Sequence, residues 1–253
     1  MISERAFAKF FNSFWNELLP LLTPTFMAQF NAGYELVLLD ASEKKHQFIP
    51  VGEGVERPDI VAEFAFRLAK YIYIERIPSH GLLTNMSCLA IAEKEAFELI
   101  SKYEGGRPEE VLRLSTHERD EGLLLCARYQ SLYDFFSCDH PVEYCPTFPG
   151  AGFLNSTEGD IGVGNCLVEV KTTTRKPTGR DLRQLITYAA LDANAGRNRW
   201  THFGLFNPRR GTLHHANIDA LLLRLSGGKA SSDVYADLIA FLESYHPAQD
   251  HKF

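Results

Sequence analysis

Three ionisable side chains stand where a β-strand should be apolar. In EGDIGVGNCLVEVKTT, residues 158–173, Asp160 precedes one short apolar run, and Glu169 and Lys171 interrupt a second. Strand interiors favour β-branched residues and are depleted in Asp, Glu and Lys. Residues two apart in a strand share a face, so Glu169 and Lys171 point one way while Val168 and Val170 point into a core. Gly164-Asn165 is a tight-turn dipeptide. It folds the two runs into an antiparallel hairpin and brings Asp160 close to the level of Glu169, or one position beyond. Two carboxylates converging from adjacent strands suit a hard divalent cation, because Mg²⁺ takes one or two carboxylates plus water and substrate phosphate. A lysine beside such a site can orient an attacking water or stabilise charge on a phosphate, while the metal clamps the phosphoryl oxygens. These residue types fit phosphodiester hydrolysis. The bland alternative is an exposed strand face bearing a Glu–Lys pair, worth under about 1 kcal/mol.

The segment that follows argues against the bland alternative. Gln184 and Tyr188 stand four apart in a helical pattern and so share a face. An ordinary amphipathic helix has no need of both. Gly159-Asp160-Ile161, then Glu169-Val170-Lys171-Thr172, then Gln184-x-x-x-Tyr188 resembles the PD-(D/E)XK nuclease superfamily, and within it the RecB-type branch. The likeness covers about residues 140–220, including Pro146-Thr147-Phe148-Pro149-Gly150 and the later Gly-Leu-Phe…Arg-Arg-Gly hairpin.

The resemblance implies a restriction-endonuclease-like mixed sheet flanked by helices. It implies that Asp160 and Glu169 hold Mg²⁺ or Mn²⁺ with the Val170 carbonyl, and that Lys171 positions the water. Gln184 and Tyr188 would brace the site or touch the substrate backbone. The family often adds an acid from a preceding helix. Glu63 is the first candidate because it interrupts an apolar helical run, with Arg67 four residues on as an alternative partner; Glu143 is the second. The implied activity is cleavage of nucleic acid, DNA over RNA, in phage defence or repair, sometimes beside a partner ATPase. Arg175, Lys176, Arg180 and Arg183 cluster directly after the site, where a phosphate backbone would be gripped. A different class of function also fits, a non-catalytic nuclease-fold subunit that binds nucleic acid or assembles a complex. A third is a metal-dependent phosphoesterase acting on small molecules.

Positioning such a site takes a sheet and covering helices. Phe7, Phe10, Phe11, Phe14, Trp15 and Leu18 recur at helical spacing, with Pro20 and Pro24 ending that helix. A short strand is expected near residues 34–39, and helices near 58–74, 88–103 and 108–136, the 88–103 helix stopped by Gly105-Gly106. Beyond His140-Pro141 the period shortens toward two, and strands are expected at 142–148, 153–155, 160–163 and 166–173. Thr178 with Asp181 caps the Gln184 helix, Gly196 stops it, and a hairpin around residues 207–211 and a Leu-rich helical tail close the chain. The expected class is α/β, with a helical region over 1–138 and the nuclease core over 139–253.

Bulk properties narrow the functions further. The chain has 253 residues and a formal net charge of -6, so any basic surface must be local. Cys88, Cys126, Cys138, Cys145 and Cys166 are scattered without a C-x-x-C pair, which speaks against a disulfide framework or structural zinc. The apolar amino terminus is broken by Glu4, Arg5, Lys9 and Glu17, so neither a signal peptide nor a membrane span is expected, and a reducing cytoplasm is. His214-His215 alternate faces and cannot both join one site. No G-x-x-x-x-G-K-[ST] order occurs near Gly150 and Gly152, so no ATP site is expected in this chain.

Overall fold

The strand-like and helical periods resolve into a mixed α/β architecture. A computed structural model describes residues 1–38, 48–75, 86–103, 113–136 and 140–245. In chain order the elements are α1 (Glu4–Phe10), α2 (Asn12–Leu18), α3 (Pro24–Gly33), β1 (Glu35–Val37), α4 (Pro58–Glu75), α5 (Met86–Tyr103) and α6 (Thr116–Phe135). There follow β2 (Val142–Tyr144), β3 (Thr147–Phe148), β4 (Thr157–Glu158), β5 (Ile161–Val163), β6 (Cys166–Val170) and α7 (Gly179–Asn194). The chain continues with β7 (His202–Asn207), β8 (Thr212–Asn217), α8 (Ile218–Leu225) and α9 (Ser231–Ser244).

Six strands form one sheet in the order β1-β8-β7-β6-β5-β2, and β3 pairs with β4 apart from it. All pairings in the large sheet are antiparallel except β6 with β7, which run parallel across the α7 crossover. Parallel neighbours require such a crossover. Both faces of the sheet are covered. Leu167, Phe203, Leu205 and Ala216 face one core, shared with α1–α3 and α7–α9. Ile161, Val163, Cys166, Val168, Phe206 and Leu213 face a second, shared with α4–α6. Residues from before and after position 138 thus contribute to both cores, and β1 closes one edge of the sheet.

Several local expectations change. The first apolar helix is two, because the chain bends at Phe11 (φ -88°, ψ 50°) between α1 and α2. Pro24 begins a helix rather than ending one: it occupies the first turn of α3 behind the Thr23 cap, where a missing N–H costs nothing. Residues 153–155 form no strand; Leu154 makes only isolated bridges to Ile2 and Ala151, and the local strand is β4. Cys145, at φ 54°, separates β2 from β3. Cys138 and the expected glycine stop at 105–106 lie outside the described residues.

Candidate active site

The β5–β6 hairpin sets the geometry. Gly164, the first turn residue, sits at φ 56°, a conformation glycine adopts without strain. The ladder runs Val163↔Cys166 to Ile161↔Val168, so one further step puts Asp160 opposite Glu169. The Asp160 carboxylate reaches across and its Oδ2 accepts the Val170 N–H at 2.7 Å. Glu169 shares a face with Leu167 and lies under α7, 1% exposed. That burial disposes of the exposed Glu–Lys strand face. The β6 ladder ends at Val170, and Lys171 turns its ammonium back to Glu169 Oε1 at 2.7 Å and Gln184 Oε1 at 2.9 Å.

Helix α7 is placed by its start: the Asp181 carboxylate accepts the Thr178 N–H at 2.8 Å and is itself held by Arg175. Leu182, Leu185, Ile186, Ala189 and Ala190 bury the helix against the sheet. Gln184 and Tyr188 then face inward together, the Gln184 amide donating to Tyr188 Oη at 2.7 Å. Phe148 stacks on the Tyr188 ring at 4.9 Å. Both residues are buried; Gln184 holds the Lys171 ammonium, and Tyr188 holds Gln184.

Two neighbours of this brace went unseen in the sequence. Glu4, buried at the start of α1, receives Gln184 Nε2 at 3.4 Å and Tyr188 Oη at 3.3 Å. The adjacent Arg5 is exposed and lines a pocket of about 290 Å³ together with Glu63, Tyr129, Asp160, Val170 and Lys171. The available signal was register: Glu4 stands three residues before Phe7, on the same helical face as that fully buried ring.

Electrostatics follow from burial. Glu169 is pushed up to about 7, first by burial and then by the charge of Asp160, with Lys171 pulling the other way. Burial also raises Asp160, against the pull of Lys171, the Val170 N–H and Arg5. Burial alone would lower Lys171, but Glu169 and Asp160 together outweigh it and its ammonium is held above its ordinary range. Burial and the neighbouring Asp160 thus favour the neutral form of Glu169, and a bound cation would relieve both acids. Glu169 Oε2 is buried without a hydrogen-bond partner. That orphaned oxygen, the Asp160 carboxylate and the Val170 carbonyl are hard donors of the kind Mg²⁺ or Mn²⁺ takes. Among the described residues no group of three or more His, Cys, Asp or Glu side chains gathers to hold a metal.

The remaining candidates separate. Glu63 reaches the pocket wall, but Arg67 engages it at 2.6 Å in an i,i+4 pair, so it joins no ligand cluster. Glu143 is exposed on β2 and pairs with Arg199 at 2.8 Å; it shares the Leu167 face but stands two strands from Glu169 and does not line the pocket. Lys176 is tied to Glu35 at 3.0 Å. Arg175, Arg180 and Arg183 instead line a second groove, of about 840 Å³. His214 is buried against Phe30, where burial pulls it down to about 4, and it does not line the pocket. No family model, curated protein or solved structure matches the chain. Among the described residues no helix is long and apolar enough to cross a membrane.

Proposed function

We propose that this chain is a metal-dependent nuclease with a restriction-endonuclease-like core, hydrolysing phosphodiester bonds of DNA. The observation that carries the reading is the buried Glu169, one oxygen on Lys171 and the other unpartnered, with a second acid opposite it across the hairpin. A structural buried acid would be fully paired; this one leaves a place for a cation. Asp160, Glu169 and the Val170 carbonyl would hold Mg²⁺ or Mn²⁺, which when bound supplies Lewis-acid polarisation of the phosphoryl group and a more acidic water.

The chain's own residues do the rest. Lys171, fixed by Glu169 and Gln184, presents an ammonium at the pocket wall that can orient the attacking water by hydrogen bonding. Arg5, on the same wall, places a guanidinium where a phosphate oxygen gains charge in the transition state. Gln184, Tyr188 and Glu4 hold Lys171 in place without touching substrate. A non-catalytic nuclease-fold subunit is favoured by one observation, the capture of Glu63 by Arg67, which leaves the cation site two carboxylates strong.

Incubation of purified protein with linear DNA, circular DNA and RNA, in Mg²⁺, Mn²⁺ or EDTA, decides between them. Metal-dependent cleavage that disappears in Lys171→Ala is expected. Full cleavage by Lys171→Ala would overturn the nuclease assignment, and folded protein without cleavage under any metal would favour the binding subunit.

A further inference from the structure

The second groove takes its lining from the later part of residues 171–178, the candidate active site from the earlier part. Lys171, Thr172 and Thr173 line the first pocket, and Arg175, Pro177 and Thr178 line the second. Its cations come from separate parts of the chain: Lys9 from the end of α1, Arg175 from the loop, and Arg180 and Arg183 from the first turns of α7. Among the described residues no acidic side chain lines it, in a chain whose net charge is -6. Arg175 is neutralised by Asp181, but Lys9 and Arg180 are exposed and have no ion-pair partner among the described residues. Arg183 donates to Asn12 Oδ1 at 2.8 Å, and both burial and the charge of Arg180 pull its guanidinium down. Like charges crowded this way are relieved by an anion.

The rest of the groove is not merely basic. Asn12, Asn16 and Asn31 supply amides, and Asn31 Oδ1 is buried with no hydrogen-bond partner while its Nδ2 donates to Pro177 O at 3.0 Å. Leu22 and Met27 give an apolar strip beside them. Guanidinium forks match phosphate oxygens, amides pair with base edges, and an apolar strip accepts a sugar or a ring face. The volume of about 840 Å³ lies within the range of small-molecule sites.

We propose that this groove is a binding site for nucleoside phosphates, separate from the cleavage pocket. The ligand has two sources with one chemistry, a nucleic-acid strand continuing past residues 171–178 or a free nucleotide. The site stands on Lys9, Arg175, Arg180, Arg183 and the three asparagines, and needs no catalysis. It replaces the sequence cluster Arg175, Lys176, Arg180 and Arg183 by a set that drops Lys176 and gains Lys9.

Fluorescence polarisation in EDTA, where hydrolysis does not enter, tests it with two probes: labelled oligothymidylate of about 12 nucleotides and labelled ATP. Lys9→Ala with Arg180→Ala is the test variant, with circular dichroism to confirm an unchanged fold. The wild type should bind at least one probe. The double variant should weaken binding about tenfold and reduce the salt slope by about 1.4 for two lost single-strand phosphate contacts. Binding of the oligonucleotide alone assigns the strand as the source, and comparable binding of ATP assigns the free nucleotide. No binding of either probe, or equal binding by the double variant, overturns the proposal. So does displacement by polyglutamate as effective as by unlabelled probe, since the groove would then recognise charge alone. Lys9 and Arg180 line this groove and not the cleavage pocket, so the difference between wild type and double variant reads the groove whether or not the nuclease reading stands.

Discussion

Two buried glutamates in this molecule are held in opposite ways. Glu121, on α6, uses both oxygens: one on Arg209, itself 1% exposed, and the other on the Gly52 N–H at 2.6 Å. Arg209 also binds the Pro50 carbonyl at 2.9 Å, so the pair fastens the segment before α4 to α6 and the β7–β8 turn. Glu169 has one oxygen on Lys171, none on the other, and an acid for a neighbour. A buried charge persists when its hydrogen-bonding capacity is matched from within. Glu121 is matched from within. Glu169 is left with one oxygen unmatched, the place the proposed cation would take, and that sets the two acids apart.

The contrast can be broken most severely at Lys171. Lys171→Ala should lower the rate of metal-dependent DNA cleavage by about 10³-fold, roughly 4 kcal/mol on the barrier; it also strips the buried Glu169 of its cation, so circular dichroism is run beside the assay to show that the variant is folded. Next comes the structural partner: Glu121→Ala leaves Arg209 buried and uncompensated, and urea titration should show a loss of about 3 kcal/mol. A loss under about 1 kcal/mol would mean that this pair holds nothing together.

Glu169 should behave in the reverse sense. With its pKa at about 7 in place of the ordinary 4.5, the folded protein binds an extra proton between those values. Metal-free stability should therefore fall as pH rises from 4.5 to about 7 and stay flat above. Glu169→Gln, which mimics the neutral acid, should stabilise the chain by about 2 kcal/mol at pH 8 in EDTA. That gain should vanish near pH 4.5. Mg²⁺ should raise the melting temperature of the wild type and not of this variant. Destabilisation by Glu169→Gln at pH 8 would place Glu169 in the same class as Glu121. The smallest effect is expected at Glu63, where Glu63→Gln loses a partly buried i,i+4 pair worth about 1 kcal/mol. A several-fold rise in the Mg²⁺ concentration needed for half-maximal cleavage would show that Glu63 still serves the cation from the pocket wall.

The part of the site written in short-range pattern was legible. Gly164-Asn165 announces its hairpin, Thr178 with Asp181 announces the start of α7, and the four-residue spacing of Gln184 and Tyr188 places both on its inward face. What depended on distant chain segments was not. Glu4 and Arg5 look like interruptions of an apolar run, and only the packing of α1 on α7 turns one into a brace and the other into a pocket wall. Lys176 reads as one of a basic cluster, but Glu35, at the sheet edge, claims it. The bend at Phe11 was hidden because the apolar spacing continues through it, on through α2. Helical periodicity records which residues are apolar and is silent on where the axis turns.

The contact between Glu4 and Tyr188 spans 184 positions of the chain. Closing so long a loop comes late, because its entropy must be met before the contact returns anything. During synthesis the hairpin bearing Asp160 and Glu169 emerges before α7, and the brace forms only once that helix can fold back onto the first one made. A chain interrupted between residues 171 and 184 would carry both acids and the lysine yet lack the scaffold that aims them. The order of synthesis thus withholds the assembled site until α7 has been made.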